Sequence, residues 1–149
     1  MIPHALRPAE PNDLGVVIHP WLQEMRLSPA SFGIPNRTFF ACQRRLILSI
    51  LRGAETTIAC DAERPNHVFG YVIHGPDFES SPVIHWLYVK STYREMGLGR
   101  TLLEHSLGGR YPAWCSQASR HSLSLRAEKE LRRYALTYNP FLNIPGAMR

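Results

Sequence analysis

Two hydrophobic periods run along the chain. "VIHWLYVK" (83–90) is apolar on both faces of an extended segment, which predicts a central strand. Leu98, Leu102, Leu103 and Leu107 recur instead at steps of three and four, one side of a helix that Gly108-Gly109 ends. Residues 3–7 form a short first strand by the same reading. "PNDLGVVIHPWLQEM" predicts a helix with Asn12 or Asp13 as N-cap and Pro20 as a kink or break. "RTFFACQRRLILSILRG" predicts a second helix that buries Phe40, Leu46, Ile47, Ile50 and Leu51 and stops at Gly53. "ETTIACDA" and "NHVFGYVIHG" are β-branched or aromatic runs joined by "DAERPN", the pattern of an antiparallel hairpin. "YPAWCSQ" offers a further strand. Leu123, Ala127, Leu131, Tyr134 and Tyr138 then form a last helical stripe, closed by Asn139-Pro140. The order predicts a mixed α/β sheet with helices on its faces.

A chain of 149 residues, 44% hydrophobic and 19% charged, reads as one folded domain spanning 1–149. Its apolar runs are too short for a membrane span, and the N-terminus lacks the basic-then-apolar layout of a signal peptide. Cys42, Cys60 and Cys115 are an odd, widely spaced set, which argues against a disulfide framework and for a reducing cytoplasm. The net charge of +5 is carried mostly by arginine, suited to planar contacts with phosphate or carboxylate. Such an excess fits a solvated basic surface or a polyanionic partner.

The densest chemistry lies in "VKSTYREMGLGRTLL" (89–103), at the junction of the central strand and the next helix. A strand feeding a helix exposes unpaired backbone N–H groups at the positive end of the helix dipole. Glycine at 97 and 99 lets an anion approach and permits positive φ, while Arg94 and Arg100 add charge at the rim. A pyrophosphate-sized anion suits such a site. The segment is not a P-loop, because Arg100-Thr101 follows Gly99 where Lys-Ser/Thr is required. Nor is it a dinucleotide fingerprint, because Leu102 occupies the third glycine position. Two glycines serving only a tight turn and close helix packing are the competing structural explanation.

"LYVKSTYREMGLGRTLL" closely resembles motif A of the GNAT superfamily, the acetyl-coenzyme A-dependent N-acyltransferases. Val89, Arg94, Gly97, Gly99, Leu102 and Leu103 stand in register with its pattern, and Ser91 stands where many members have proline. The resemblance implies a GNAT-like, mostly antiparallel mixed sheet with helices on both faces. It implies acetyl-coenzyme A as co-substrate, with no metal. The backbone of Arg94, Glu95, Met96, Gly97, Leu98, Gly99, Arg100 and Thr101 would hold the pyrophosphate. The main chain of Leu87 and Val89 would pair with the pantetheine arm like an added strand and polarise the thioester carbonyl.

Amine acylation needs a free amine, yet an alkylammonium has a pKa of ~10, so a base must take its proton. His85 is the candidate base, because strand alternation places it on the face of Leu87 and Val89. Many members of the resembling family carry glutamate near this position, and arylalkylamine N-acetyltransferases carry histidine four residues before the valine, as here. A buried histidine satisfied by hydrogen bonds is the alternative. By the same resemblance, Tyr134 or Tyr138 on the last helix would protonate the leaving thiolate.

The resemblance weakens towards the C-terminus. "CSQASRHSLSL" has serines and Gln117 but no asparagine, and "PFLNIPGAMR" is too short for the usual closing hairpin. The expected acceptor side is therefore unusual, open, or completed by a second subunit in a homodimer. No H-x-x-x-H or C-x-x-C pair suggests zinc, and no serine sits in a nucleophile elbow. Trp21, Trp86 and Trp114 read as core or cleft wall. The leading expectation is an N-acetyltransferase acting on a small-molecule or peptide amine by direct transfer in a ternary complex, with no membrane partner. Two alternatives stand beside it. One is a protein that modifies DNA or tRNA bases, with "CQRRLILSILRG", "SLGGR" and "RAEKELRR" as a basic track. The other is a non-catalytic coenzyme A-binding module.

Overall fold

A computed structural model describes residues 2–117, 129 and 132–143. Six strands form one sheet in the order β1-β2-β3-β4-β5-β6. They are β1 (His4–Pro8), β2 (Glu55–Asp61), β3 (Val68–His74), β4 (Val83–Val89), β5 (Ala113–Cys115) and β6 (Leu136–Tyr138). The first four run antiparallel to one another in turn, and β5 and β6 each run parallel to the strand before them in the sheet. Among the described residues the long helices are α1 (Leu14–Arg26), α2 (Asn36–Gly53) and α3 (Leu98–Leu107).

Both faces of the sheet are covered, so the inner strands carry side chains into two cores. On one face, Val17, Ile18, Trp21 and Met25 of α1 and Phe39, Ile47 and Ile50 of α2 pack on Ile58, Tyr71, Ile73 and Trp86. On the other, Leu102, Leu103 and Leu107 of α3 pack on Ala59, Val72, Ile84, Ala113 and Tyr134. Neighbours such as Ala59 and Ile58, or Val72 and Tyr71, thus belong to opposite cores, as strand alternation dictates.

Several expectations need correction. Pro20 lies inside α1 without ending it; Val16, whose carbonyl loses its usual partner, is exposed. Asp13 does not cap α1 through its side chain. Its carboxylate instead takes both guanidinium branches of Arg7 (2.7 and 3.0 Å) and the Glu10 N–H (2.7 Å), tying β1 to the helix start. Phe39, not Phe40, is the buried phenylalanine of α2. Most of the last helical stripe, including Leu123, Ala127 and Leu131, falls outside the described residues. Tyr138 is not on a helix: it ends β6, while Tyr134 sits in the turn before that strand. Ala135 (φ +49°) turns the chain into β6, which pairs directly with β5. Among the described residues, β6 is the strand that follows Ala135.

Candidate active site

β4 and β5 share only the pairs Val83–Trp114 and Ile84–Cys115 and then part. The last bond across the fork runs from the Ser116 N–H to the Ile84 carbonyl (3.1 Å). Beyond it the outer edge of β4 continues without β5. In the β3–β4 register Tyr71 faces Tyr88, Ile73 faces Trp86, and Lys90 N–H donates to Phe69 O (2.9 Å). These are the bonded pairs, so Leu87 and Val89 direct their main-chain groups away from β3 and into the fork. The Val89 carbonyl accepts from Arg94 Nε (2.8 Å). Leu87 offers both a donor and an acceptor, and Val89 a donor, to an extended ligand.

At the end of β4 the chain makes a short turn over Ser91–Tyr93, passes Glu95 (φ +68°) and Gly97 (φ +82°), and enters α3. Gly97 is the helix N-cap in a left-handed conformation that a branched residue adopts only under strain. No side chain caps the helix. The first intrahelical bond is Thr101 N–H to Gly97 O (3.0 Å), so the N–H groups of Leu98 and Gly99 precede the helix ladder and point out of its N-terminus. A Cβ at Gly99 would meet Val89 Cγ2 at 3.9 Å and Leu87 Cδ2 at 4.0 Å, ordinary contacts. The chain's own packing therefore leaves room for a side chain at Gly99. The bare backbone there suits something that must lie close to it, and the donor set fits a diphosphate. Arg94, Gly97 and Gly99 thus converge with Leu87 and Val89 at one end of β4.

His85 lies at the other end, in the crotch of the fork. A bulge sets both Ile84 and His85 of β4 against His74 of β3. The His85 ring is only 3% exposed and bridges two segments. A carbonyl can only accept, so Nε2–H donates to Gly75 O (3.1 Å), and Nδ1 accepts from the Ser116 hydroxyl (2.8 Å). Burial lowers the imidazole pKa to about 4; the Gly75 carbonyl pulls it upward and nearby His74 lowers it further. The ring is neutral at pH 7, in one fixed tautomer.

Ser116 joins His85 to a buried chain of amides. Asn143 Nδ2 donates to Ser116 O (2.6 Å), and Gln117 Nε2 donates to Asn143 Oδ1 (3.4 Å). Gln117 Oε1 accepts from Trp21 Nε1 (2.8 Å) and Gln43 Nε2 (3.4 Å). Trp21 stacks on Trp86, with centroids 5.6 Å apart and planes 6° from parallel. Helices α1 and α2 are thereby pinned to the fork. Sequence reasoning noted Gln117 and the serines but not Gln43 or Asn143, which arrive from remote segments without any local motif.

Tyr134 is 2% exposed and packs among the α3 leucines, its hydroxyl donating to Glu104 (3.3 Å). Tyr138, 51% exposed, pairs across β6 with Cys115. The two tyrosines are thus in unlike surroundings.

The sequence model of the acetyltransferase (GNAT) family matches residues 18–131. None of the curated proteins matches the sequence. The fold is similar to that of a Pyrococcus furiosus protein named as an acetyl transferase, with a TM-score of 0.65 and 15% identity over 87% of this chain and 91% of that one. It is also similar to a Clostridium difficile 630 protein named as a possible acetyltransferase, with a TM-score of 0.57 and 12% identity over 91% of each chain. A third similar structure is AAC(6')-Iy in complex with the bisubstrate analog CoA-S-monomethyl-acetylneamine, with a TM-score of 0.50 and 13% identity over 90% of each chain. A strand edge left open beside an uncapped glycine-led helix thus coincides with a sequence match across most of the molecule, and the chain belongs to the acetyltransferase (GNAT) family.

Proposed function

We propose that the protein transfers an acyl group, acetyl in the first instance, from acetyl-coenzyme A to an amine by direct transfer in a ternary complex. The observation that carries this reading is the continuity of two main-chain surfaces. The open edge at Leu87 and Val89 runs into the N-terminal N–H groups of Leu98 and Gly99, with Gly97 and Gly99 keeping side chains out of the way. Bound there, acetyl-coenzyme A supplies a thioester whose carbonyl is open to attack by nitrogen. Leu87 N–H is the proposed donor to that carbonyl, worth most where water is excluded. Arg94 and the α3 N-terminus hold the diphosphate.

The proton route follows from the surroundings of His85. An imidazole with a pKa of about 4 is too weak to strip an alkylammonium, so the acceptor enters as the free amine. As the C–N bond forms, the nitrogen becomes acidic and passes its proton to Ser116 Oγ, while the Ser116 hydroxyl proton moves to His85 Nδ1. His85 is thus the terminal base, and Gly75 O holds its other nitrogen in place. The C–S bond then breaks, the thiolate takes a proton from Tyr134 or Tyr138, and His85 gives up its proton to solvent as the tyrosinate regains one from it. Separate Tyr→Phe changes distinguish them, and full activity in both variants removes tyrosine from this role.

The test is calorimetry with acetyl-coenzyme A, followed by thiol release with a panel of amines. Micromolar binding and acceptor-dependent thiol release support the reading. Binding without release by any amine leaves the coenzyme A-binding module in its place, and no binding removes both.

A further inference from the structure

The positive charge is not spread over the molecule. Between Met25 and Ala54 the sequence contains Arg26, Arg37, Arg44, Arg45 and Arg52, and no aspartate, glutamate or lysine. The net charge of this stretch equals the formal +5 of the whole chain, so acids and bases balance everywhere else. Four of these arginines lie on α2 and all four are exposed. Among the described residues, no ion pair or hydrogen bond engages Arg37, Arg44, Arg45 or Arg52.

Helical geometry turns these positions into a strip. Arg37, Arg44 and Arg52 recur after seven and eight residues, about two turns each, and span about 22 Å along one side of α2. Phe40 lies between them and is 37% exposed although Phe39 beside it is buried. Phe32, on the bend just before the helix, is 93% exposed. The opposite side of α2 packs into the core and reaches the fork through Gln43 and Gln117. The strip therefore lies on the outer side of α2, turned away from the buried Gln43 that reaches the fork.

We infer that the outer face of α2 binds a single-stranded nucleic acid, the carrier of the acceptor amine. Guanidinium groups without protein counter-ions are what a phosphate backbone neutralises. Exposed aromatic rings between them provide stacking surfaces that unpaired bases, but not a closed duplex, can use. A small amine or polyamine has no use for such a surface, and a second copy of the chain would bring the same unpaired charge against it. The inference rests on the acyltransferase reading only for the phrase "acceptor amine"; binding stands independently.

The test is fluorescence anisotropy with labelled oligouridine and oligothymidine of about twelve nucleotides, and a matched duplex, at about 50–200 mM salt. The expected result is single-strand binding that weakens with salt, with a log–log slope of about −2 to −3 for three or four phosphates. Arg44→Glu with Arg45→Glu should weaken it at least ~10-fold. Phe40→Ala should weaken it several-fold without changing the salt slope. Acetyl-coenzyme A affinity, measured on the same samples, stays unchanged and shows that the variants fold. RNA binding alone, or DNA binding alone, names the strand. Absence of binding at the lowest salt, equal or tighter binding of the duplex, or retention of binding by the double glutamate variant overturns the proposal. So does concentration-dependent self-association that the same substitutions abolish. If the strands bind but acetyl-coenzyme A does not, the surface stands and the acyltransferase reading falls.

Discussion

The two ends of β4 work by different means. At Val89 the candidate site is built from main chain: a strand edge, a left-handed glycine and the first N–H groups of α3. At His85 it is built from side chains supplied by five separate places, with Trp21, Gln43, Ser116, Gln117 and Asn143 all traceable to one imidazole through hydrogen bonds. The first end is specified by what is missing, the Cβ atoms at 97 and 99. The second is specified by what is present and buried. Substitution should therefore act on ligand affinity at one end and on stability and turnover at the other.

The largest effect expected is on stability at the His85 end. A buried imidazole with a pKa near 4, against ~6.5 in the unfolded chain, resists protonation only while folded. The unfolded state binds more protons between those values. Stability is therefore complete above about pH 6.5 and falls as pH drops towards 4, by as much as ~3 kcal/mol. Urea unfolding of wild type and His85→Gln across this range should show that part of the slope disappearing in the variant. Parallel curves would mean the ring is not held neutral.

The loop comes next. Gly97→Val combined with Arg94→Glu should weaken acetyl-coenzyme A binding at least ~100-fold, about 2.7 kcal/mol, while circular dichroism stays native. Unchanged affinity would show the cradle to be a turn and nothing more. Ser116→Ala follows at about tenfold in kcat with KM for acetyl-coenzyme A unaltered, because it breaks the proton route without touching the loop. An equal loss in KM would mean that Ser116 shapes the fork rather than conveying protons. The smallest effect expected is Tyr138→Phe on stability. The side chain is half-exposed on a short outer strand, and its unfolding midpoint should correspond to a change within about 0.5 kcal/mol.

The same contrast explains how much could be read beforehand. Glycines, a strand ending and a leucine stripe are local signals, so the strand end, turn and helix start of 89–103 were legible in the sequence. β2, β3 and α3 were legible for the same reason. The side-chain network was not, because Trp21 and Gln117 lie 96 positions apart and neither carries a local mark of the other. The last element misled for a physical cause. Tyr134 and Tyr138 keep helical spacing, but Ala135 adopts a left-handed conformation between them and the chain leaves as a strand. His85 was placed correctly on its strand, while the bulge beside it and the partners of both ring nitrogens depended on Gly75 and Ser116 in neighbouring elements.

Asn143 has a consequence for how the molecule is made. Its amide spans the Ser116 carbonyl and the Gln117 side chain, so this network cannot be complete until residue 143 has been made. Trp21, made 96 positions before Gln117, gains the partner of its indole N–H only when that residue arrives. The strand edge at Leu87 and Val89 and the helix start at Gly97 need nothing from residue 143, whereas the surroundings of His85 are complete only with it.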